Sequence, residues 1–445
     1  MKVNAPTEPS PARPWRRATA WLLFLGPFFF ATYGLATWVT AQRASVGSIV
    51  FAWEHAVPFV PWTIVPYWAI DVMYAISLFV CTDRRELDTH AKRLLTAQLV
   101  AISSFLLFPL KFTFERAQPG GVFGDLFALL SSFDRPFNQA PSLHIALLVI
   151  LWALFARKLR GAARVLLDVL FLLIGASVLT TWQHHFIDVP TGALLGFFCL
   201  WLWPQGQTTP LSAARWTRDR RRLVLAARYA AGAFLATAIA LVAGGAGWWL
   251  LWVSVALGLV ALNYAWLGWA GFQKQDGRLS PAATVLLAPY VLGARLNAKA
   301  WTRGRSPFDH VADDVWLGRL PTPADLDRGG FAAIVDLTCE LPFDPRGRTY
   351  VNLPVLDLTL PDRDTLRAAA EAIERLRADG RVLVCCALGV TRSATAVAGW
   401  LVATGRARDA EAALARIREA RPQIVLGDAH RARIAAMAGS AAAVA

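Results

Sequence analysis

Long apolar runs recur through the N-terminal part of the chain and most constrain its fold. They lie at 20–40, 61–80, 94–110, 144–155, 165–181, 187–203, 229–243 and 248–266. Several approach the roughly 20 residues that an α-helix needs to cross a bilayer. The 445 residues are 56% hydrophobic and only 17% charged, which is too apolar for an ordinary soluble protein. The sequence therefore predicts an all-α polytopic membrane domain with about eight transmembrane helices.

Basic residues are divided unevenly among the loops between these runs. With the N-terminus inside, the inner segments hold Lys2, Arg13, Arg16, Arg17, Arg84, Arg85, Lys92, Arg93, Arg157, Lys158, Arg160, Arg164, Arg215, Arg218, Arg220, Arg221, Arg222 and Arg228. The outer segments hold only Arg43, Lys111, Arg116 and Arg135. This bias sets the orientation of a membrane protein. The first run is long and lacks a clear cleavage site, so we treat it as a retained span.

An even number of spans returns the C-terminal part of the chain to the cytoplasm, and the expected location is a bacterial inner (plasma) membrane. The net charge of +14 then reflects topology and attraction to anionic lipid. The sequence contains no stripe of Lys and Arg with interleaved aromatic residues, so we expect no nucleic-acid partner. The five cysteines show no disulfide framework. We expect no metal and no cofactor, and the sequence leaves the oligomeric state open.

A different chemistry is indicated by V-L-V-C-C-A-L-G-V-T-R-S-A at 382–394. Its apolar start predicts a buried strand, and 393–402 predicts an apolar helix. A strand–loop–helix unit points backbone N–H groups and a helix N-terminus at one place, which suits a phosphate dianion. Gly389 lets the backbone come close, and Arg392 can bind two phosphate oxygens. The same field would activate Cys386 as a nucleophile.

The alternative is a buried cysteine beside an unrelated glycine and arginine. C-x5-R is common by chance, but C-x2-G-x2-R-S after a strand is much rarer, so we favour a phosphate site. This loop resembles the signature loop of the dual-specificity (cysteine-based) phosphatases, and the resemblance covers roughly 305–435. V-W-L-G-R-L-P at 315–321 looks like the opening strand and turn of that family. A-A-I-V-D-L-T at 332–338 looks like the next core strand, and Y-V-N-L-P-V-L-D at 350–357 looks like the segment that ends in the general acid.

The resemblance implies an α/β domain with a central sheet, and it implies roles for four side chains. Cys386 would attack phosphorus, and Arg392 would hold the phosphoryl oxygens. Asp357 would protonate the leaving oxygen, and Ser393 would assist departure of the thiolate. The residues between the nucleophile and the arginine would bind the phosphate, and these are Ala387, Leu388, Gly389, Val390 and Thr391.

Two features of this region leave alternatives open. The family usually has His just before the nucleophile, and here the residue is Cys385. Cys385 is therefore a candidate disulfide partner of Cys386, and redox control is a side hypothesis. Asp362 and Asp364 rival Asp357 as the general acid, although P-D-R-D also predicts the N-cap region of a helix.

Ionisable residues also lie at the outer ends of the predicted spans. P-S-L-H at 141–144 opens the fourth span, and W-Q-H-H-F-I-D at 182–188 lies between the fifth and the sixth. Such groups at membrane depth are costly and usually functional. His184 and Asp188 are four apart, so one helical turn would bring them together, and the carboxylate would make the imidazole a better nucleophile or base. His144 could act as acid.

The alternative for these histidines is a location at head-group level without chemistry. His185 rivals His184, but it lies three residues from Asp188 rather than four. Over roughly 60–205 the sequence resembles the type-2 phosphatidic acid phosphatase superfamily. P-S-L-H looks like its second motif and H-H-F-I-D-V like the core of its third. By this resemblance His184 is the nucleophile, Asp188 its orienting partner and His144 the acid.

The phosphatase members of that superfamily carry two further arginines that this chain lacks. Their K-x6-R-P motif aligns with Lys111 followed by Gln118-Pro119, and their S-R pair aligns with Ser177-Val178. The absence of these arginines, together with the P-S-L-H and H-H-F-I-D motifs, is closer to the branch that includes inositol phosphorylceramide synthase. That branch transfers a phosphoalcohol head group between lipids. The candidate substitutes for the lost phosphate ligands are Lys111, Arg116 and Arg135.

The segment at 277–301 is apolar with basic flanks, and we expect it to lie on the inner membrane surface. A ninth span broken at Pro289 is the alternative. The predicted domains are 1–206, a membrane domain with its core at about 60–205; 207–275, a basic loop and two further spans; 276–304, an amphipathic linker; and 305–445, the cysteine phosphatase domain.

The sequence thus predicts a membrane-bound phosphatase with a cytoplasmic cysteine-dependent site and an outer-face lipid phosphatase or phosphoalcohol transferase site. Its substrate would be a phospholipid or a phosphoprotein. Because the loop between Cys386 and Arg392 contains no lysine, a lipid head group would carry a single phosphate. One alternative is a tyrosine phosphatase anchored by an inactive membrane domain. Another is a sensor that binds phosphorylated partners without turnover.

Overall fold

The computed structural model describes residues 13–438, so Lys2 and the alanine-rich C-terminal tail lie outside the described residues. The chain divides into two compact units, Met1–Thr209 and Pro210–Ala445. The first unit is helical. Its helices are α1 (Trp15–Ala41), α2 (Ile64–Phe79), α3 (Arg84–Leu107), α4 (Gly121–Phe133), α5 (Leu143–Phe155), α6 (Gly161–Thr180) and α7 (Asp188–Leu202).

Helix α5 lies at the centre of the first unit, where it contacts α2, α3, α6 and α7. Apart from His144 in its first turn, its residues are apolar on all sides, which is typical of a buried helix. Gly192 of α7 allows the closest approach, because a Cβ at this position would lie 2.5 Å from the carbonyl oxygen of Ser142. The backbone N–H of Ser142 donates to the carbonyl of Asp188 at 3.1 Å. The start of α5 and the start of α7 are thus held side by side.

Five helices are long and apolar enough to cross a membrane, and each of the eight predicted runs overlaps a helix. Within residues 13–438 the five candidate spans are Trp15–Ala41, Pro61–Phe79, Gly161–Thr180, Arg220–Ala243 and Gly245–Phe272. Three further apolar helices are shorter, at Gly121–Ser132, Leu143–Phe155 and Asp188–Leu202. The prediction of several apolar membrane helices is confirmed, whereas the number of eight spans stays a prediction.

The second unit begins with a helical hairpin formed by α8 (Arg220–Ala243) and α9 (Leu250–Leu262). A π-helical turn (Asn263–Leu267) and a 3-10 turn (Gly268–Phe272) continue α9. The segment predicted to lie on the membrane surface then forms a small β-hairpin and two helices, and none of these is among the five candidate spans. They are β1 (Lys274–Gln275), β2 (Arg278–Leu279), α10 (Pro281–Leu286) and α11 (Ala288–Thr302).

An α/β fold follows in the same unit. Its strands are β3 (Phe308–Ala312), β4 (Val315–Arg319), β5 (Ala333–Thr338), β6 (Thr349–Val355) and β7 (Val382–Cys386). Its helices are α12 (Pro323–Gly329), α13 (Arg363–Arg377), α14 (Arg392–Ala403), α15 (Ala410–Ala420) and α16 (Asp428–Ala435). The strand order is β3-β4-β7-β5-β6, with β3 antiparallel and the rest parallel. The predicted α/β fold with a central sheet is confirmed.

The side chains of β7 alternate between two hydrophobic clusters. Val382, Val384 and Cys386 pack in the larger cluster with α13 and α14. Leu383 and Cys385 pack on the other face of the sheet. Because β7 is the central strand, its carboxyl end lies between the ends of β4 and β5, which is where parallel sheets place their sites.

Candidate active sites

The loop between β7 and α14 has the geometry of a phosphate cradle. β7 ends at Cys386 and α14 begins at Arg392, so the loop 387–391 lies at a helix N-terminus. Gly389 adopts a φ of 68°, and a Cβ there would lie 2.4 Å from the carbonyl carbon of Gly318. The loop is therefore pressed against the end of β4, where only glycine fits. Ser393 donates a hydrogen bond from Oγ to the sulfur of Cys386 at 3.2 Å.

Arg392 is buried and makes four polar contacts. It donates from Nη2 to Oε1 of Glu340 at 2.7 Å and from Nη1 to Oε2 at 3.0 Å. Nη1 also donates to the carbonyl of Val355 at 2.8 Å. Nη2 lies 3.0 Å from Oδ1 of Asp357. Burial favours the neutral form of Glu340, but the charge of Arg392 outweighs it and holds the pKa of Glu340 below its usual value. The sequence analysis missed Glu340, whose role depends on the sheet order.

Asp357 lies beyond the end of β6, next to Arg392. Burial raises the pKa of Asp357, the charge of Arg392 opposes this shift, and the charge of Glu340 adds to it. A raised pKa keeps a carboxylic acid protonated to higher pH, which is the state that a general acid needs. Of the rivals, Asp362 caps α13 by accepting from the backbone N–H of Thr365 at 2.7 Å. Asp364 is exposed and pairs with an arginine of the same helix.

Cys385 does not face the nucleophile. Its side chain belongs to the cluster on the opposite face of the sheet from Cys386, and burial raises its pKa well above the usual value. A disulfide requires the two Cβ atoms to approach within about 4.5 Å with converging side chains. Since β7 turns the two thiols to opposite faces, the hypothesis of a Cys385–Cys386 disulfide is wrong for this backbone.

Arg421 supports the phosphate loop from behind, and the sequence analysis missed it. It is 1% exposed and donates from Nε to the carbonyl of Gly389 at 2.8 Å. Nη2 donates to the carbonyl of Leu388 at 3.4 Å, and Nη1 pairs with Asp309 at 2.5 Å. Turning two loop carbonyls toward Arg421 leaves the loop N–H groups free to face the phosphate. No local pattern around Arg421 indicates this contact.

The second site lies in the first unit, where His184 meets Asp188. Nδ1 of His184 lies 3.0 Å from Oδ2 of Asp188, and Nε2 lies 3.3 Å from Oγ of Ser142. The expected contact between the two side chains is present, but the expected helical turn is wrong, because α6 ends before His184 and α7 begins only at Asp188. The pair forms across the turn between the two helices. The carboxylate orients the imidazole through Nδ1, so Nε2 is the ring nitrogen on the side away from Asp188, where it meets Ser142.

His185 is held by two other partners. Its Nδ1 lies 2.9 Å from Oε2 of Glu54, and its Nε2 accepts from the backbone N–H of Thr113 at 3.2 Å. Glu54 is buried in a 3-10 turn, and it also accepts from the N–H of Phe186. These contacts tie His185 to Glu54 and to the backbone at Thr113, so His185 braces the turn that carries His184. The sequence analysis missed Glu54, which lies 131 residues from its partner.

His144 and Arg116 present unpaired polar atoms. The His144 ring stacks on Tyr67 with centroids 4.2 Å apart, and within residues 13–438 its Nε2 has no hydrogen-bond partner. Nη1 of Arg116 is likewise buried without a partner, and its guanidinium lies over Phe127 at 5.2 Å. Lys111 and Arg135, by contrast, are exposed. Of the three predicted phosphate ligands, all within residues 13–438, only the partly buried Arg116 has a buried nitrogen without a hydrogen-bond partner.

Asp134 lies near both the histidine and the arginine of this site. Oδ1 of Asp134 accepts a hydrogen bond from the hydroxyl of Tyr33 in α1 at 2.6 Å. Further buried atoms in the described part of the chain also lack partners near this turn, namely Oε1 of Gln139, Nε2 of Gln183 and Oδ1 of Asp188. Unpaired buried polar atoms are rare in native proteins, so these atoms mark a place that ordered water or a polar ligand would fill.

Neither site offers a metal centre among the described residues. Residues 13–438 contain no group of three or more His, Cys, Asp or Glu side chains placed to hold a metal ion. All five cysteines are free and buried.

Comparisons with known proteins cover both units. The family model for the PAP2 superfamily matches residues 93–212, and the model for the dual specificity phosphatase catalytic domain matches residues 315–438. No curated protein matches the chain. Among solved structures, a crystal structure of PTPMT1 in complex with PI(5)P is 18% identical, with a TM-score of 0.29, over 31% of this chain and 98% of that chain. Tk-PTP in the active form is 27% identical, with a TM-score of 0.28, over 29% of this chain and 95% of that chain. Human DUSP28 is 24% identical, with a TM-score of 0.27, over 30% of this chain and 93% of that chain.

The two family matches confirm the predicted fusion of a phosphatidic acid phosphatase-like domain with a cysteine phosphatase domain. The inositol phosphorylceramide synthase branch stays a prediction. With five apolar helices and a PAP2 superfamily domain, the chain is a membrane protein. It carries a PAP2 superfamily domain within residues 93–212 and a dual specificity phosphatase catalytic domain within residues 315–438, and the latter makes it a phosphoric monoester hydrolase.

Proposed function

We propose that the C-terminal site is a cysteine-dependent phosphomonoesterase with a covalent intermediate. The observation that carries it is the cluster at the end of β7, where Cys386 accepts from Ser393 and Arg392 contacts Asp357. The sulfur of Cys386 attacks phosphorus, so that an S–P bond forms as the P–O bond to the leaving group breaks. Asp357 gives its proton to the leaving oxygen.

Water then attacks the phosphorus and releases inorganic phosphate, and the S–P bond breaks to return the thiolate. The resulting carboxylate of Asp357 takes a proton from this water. Ser393 donates its hydroxyl hydrogen bond to the departing sulfur. Arg392 and the N–H groups of 387–391 hold the phosphoryl oxygens throughout. Glu340 keeps the guanidinium in place without blocking the loop.

Turnover of an aryl phosphate by the purified full chain tests this assignment. Cys386→Ser should abolish activity, because a serine hydroxyl here has no base to activate it. Arg392→Lys keeps the charge but removes the two-pronged contact, so turnover should fall by roughly 100-fold or more. Chelators should leave the rate unchanged. Full activity of Cys386→Ser, or a requirement for a divalent metal, would refute the mechanism.

We further propose that the N-terminal site transfers the phosphoryl group or phosphorylated head group of a lipid. The pairing of His184 with Asp188 supports this, together with the unpaired Nη1 of Arg116 and Nε2 of His144. In this scheme Nε2 of His184 attacks phosphorus, His144 protonates the leaving oxygen, and Arg116 binds the phosphate. These groups argue against an inactive membrane anchor.

Lipid turnover by Cys386→Ser protein isolates this second activity. His184→Gln should abolish lipid turnover. His185→Gln should still turn over lipid but should unfold at a lower temperature, because His185 only braces the turn. Release of inorganic phosphate would identify a hydrolase, and appearance of the head group on a second lipid would identify a transferase. Full lipid turnover by His184→Gln would refute the assignment.

We propose a bacterial inner membrane location with the N-terminus inside, the His184 site on the outer face and the Cys386 domain in the cytoplasm. The basic bias of the loops supports this orientation. Because all five native cysteines are buried, single added cysteines can report sidedness. Gly120 has open space around it, and Arg303 is exposed after α11. An impermeant maleimide should label Gly120→Cys but not Arg303→Cys in intact cells, and labelling of both would refute the orientation.

A further inference from the structure

The segment between the last candidate span and the phosphatase fold is built into the C-terminal active site. We propose that this site takes its substrate from the bilayer surface, and that the substrate is a lipid whose head group carries a single phosphate monoester. This inference rests on the cysteine phosphatase function proposed above. It names the substrate class of that same site.

Tyr264 connects the membrane hairpin to the general-acid loop. Its buried hydroxyl donates to the backbone carbonyl of Asp357 at 2.9 Å. Tyr264 lies in the π-helical turn of the candidate span Gly245–Phe272. Tyr229 of α8 stacks on it with centroids 5.4 Å apart, and Tyr290 of α11 meets Tyr229 edge-on at 5.8 Å. The loop of the acid is thus fixed to the two apolar helices of the hairpin.

The loop that carries Glu340 is held from the same side. Lys274 of β1 donates from Nζ to Oδ2 of Asp336 at 2.6 Å and to the carbonyl of Thr338 at 3.2 Å. The backbone N–H of Phe343 donates to the carbonyl of Gly277 at 2.7 Å. The two loops that flank Arg392 therefore both rest on residues between α9 and α11. The phosphate site cannot move away from the hairpin without breaking these contacts.

Exposed tryptophans, which favour a membrane–water interface, lie at this level of the hairpin. Trp216, Trp266 and Trp269 expose their indole rings, which is typical of residues at the head-group level. The backbone N–H of Arg215 donates to the carbonyl of Trp266, and that of Thr217 to the carbonyl of Ala265, both at 2.9 Å. This pairing holds the exposed Trp216 beside the turn that contains Tyr264. The general-acid loop accordingly lies at head-group depth.

The rim of the site is apolar where a peptide substrate would need polar contacts. Leu358 follows the general acid and is 65% exposed. Val425 is 67% exposed, and its backbone N–H donates to the carbonyl of Val390 in the phosphate loop at 3.2 Å. On α11, Leu292, Leu296 and Trp301 are also exposed. Exposed apolar groups beside a membrane hairpin fit insertion into the interface.

The charge of the loop limits the substrate to one phosphate. Residues 387–391 contain no Lys or Arg, and Arg392 is already shared with Glu340. A second phosphate would find no cation in the loop. A lipid phosphomonoester at the inner surface therefore fits the depth, the rim and the charge of the site.

The test uses the full chain reconstituted in phosphatidylcholine vesicles. Cys386-dependent turnover, taken as the part that Cys386→Ser removes, is compared for five probes. The probes are phosphatidic acid and phosphatidylinositol monophosphate in the vesicles, soluble glycerol 3-phosphate, a phosphotyrosine peptide and an aryl phosphate. We expect kcat/KM for at least one lipid to exceed that for the soluble ester and the peptide by about tenfold or more.

The outcomes separate this inference from the function on which it rests. If the aryl phosphate is hydrolysed through Cys386 but the peptide or the soluble ester exceeds both lipids, the lipid inference is overturned and the phosphatase function stands. If the aryl phosphate shows no Cys386-dependent turnover, the phosphatase function fails, and the inference fails with it.

A pair of variants at Leu358 tests the rim directly. Leu358→Asp should lower the ratio of lipid turnover to aryl phosphate turnover by about tenfold or more. The reason is that a charged side chain disfavours insertion of the rim into the bilayer surface. Leu358→Ala, the matched control, should change this ratio by less than about threefold, since it stays apolar. An equal ratio in wild type and Leu358→Asp would overturn contact between the rim and the bilayer.

Discussion

Replacement of Gly389 by alanine should disable the C-terminal site without unfolding the domain. Gly389 has a φ of 68°, a region that costs an L-residue about 1–2 kcal/mol. A Cβ there would lie 2.4 Å from the carbonyl carbon of Gly318, 2.5 Å from the N of Arg319 and 2.6 Å from the carbonyl oxygen of Gly318. All three atoms belong to the backbone of β4, so no side chain can rotate to relieve the overlap.

The overlap sets the size of the effect. Ordinary contact begins at 3.4 Å, so the loop must retreat from β4 by about 1 Å. Arg421 opposes this retreat, because it holds the carbonyls of Leu388 and Gly389. A misplacement of about 1 Å at a reacting centre costs on the order of 100-fold in rate. We therefore expect kcat for an aryl phosphate to fall by roughly 100-fold, with about 1–2 kcal/mol lost in stability.

Gly399→Ala is the matched control in the helix that follows the loop. A Cβ at Gly399 would meet Cγ of Met437 at 3.6 Å and Cβ of Leu366 at 4.0 Å, which are ordinary contacts. Alanine in a helix interior stabilises by about 1 kcal/mol relative to glycine. Initial rates and thermal inactivation curves of the two variants should therefore diverge. Wild-type kcat in Gly389→Ala, or an equal loss in Gly399→Ala, would refute the tight-loop argument.

Three further perturbations test the acid, a stabilising network and the tie to the hairpin. Asp357→Asn should lower kcat for an aryl phosphate by roughly 100-fold or more and flatten the alkaline limb of the pH–rate profile. The limb belongs to this acid because its raised pKa keeps it protonated until the pH exceeds that pKa. An unchanged limb would exclude Asp357 as the general acid. Hydrogen bonds from Arg377 and Trp400, with the charge of Arg406, lower the pKa of Glu374 to about 2, so its ionised form stabilises the domain above pH 4.5 and loses that effect as the pH falls toward 2. Glu374→Gln should therefore lower the inactivation temperature by about 2–4 °C at neutral pH, with the difference shrinking in acid, and a constant difference would contradict the linkage. Tyr264→Phe should lower kcat by about fivefold with little change in KM and move the alkaline limb, whereas a purely structural tyrosine would leave that limb in place.

The parts of the fold that could be predicted from the sequence are those encoded by neighbouring residues. The phosphate loop needs only a strand, a glycine and an arginine within a short stretch, so its chemistry could be read from 382–394. The alternation of Cys385 and Cys386 is also a local property of a strand. It places the two thiols on opposite faces, although the sequence analysis treated them as a pair.

Contacts between distant segments could not be predicted. Glu340 reaches Arg392 across 52 residues because the sheet order brings the ends of β5 and β7 together. Arg421 reaches the loop across 32 residues because α15 packs on α14 and β3. Nothing in the pattern around Tyr264 or Glu54 indicates their partners. The sequence predicts the contact between His184 and Asp188 but not the backbone that carries it. A turn between two helices can bring residues four apart as close together as one helical turn does.

Arg392 makes the general acid and the substrate compete for one cation. Nη2 of Arg392 lies 3.0 Å from Oδ1 of Asp357, and Glu340 holds the same guanidinium through two further contacts. A phosphate dianion that binds Nη2 must displace the Asp357 carboxylate. This removes the charge that most strongly opposes the raised pKa of Asp357, and the dianion adds a negative charge that raises the pKa further. Substrate binding therefore protonates the acid at the moment when its proton is needed. The alkaline limb of kcat should accordingly lie at higher pH than that of kcat/KM, because the first reports the complex and the second the free enzyme. Coincident limbs would show that Asp357 keeps its contact with Arg392 when the phosphate binds.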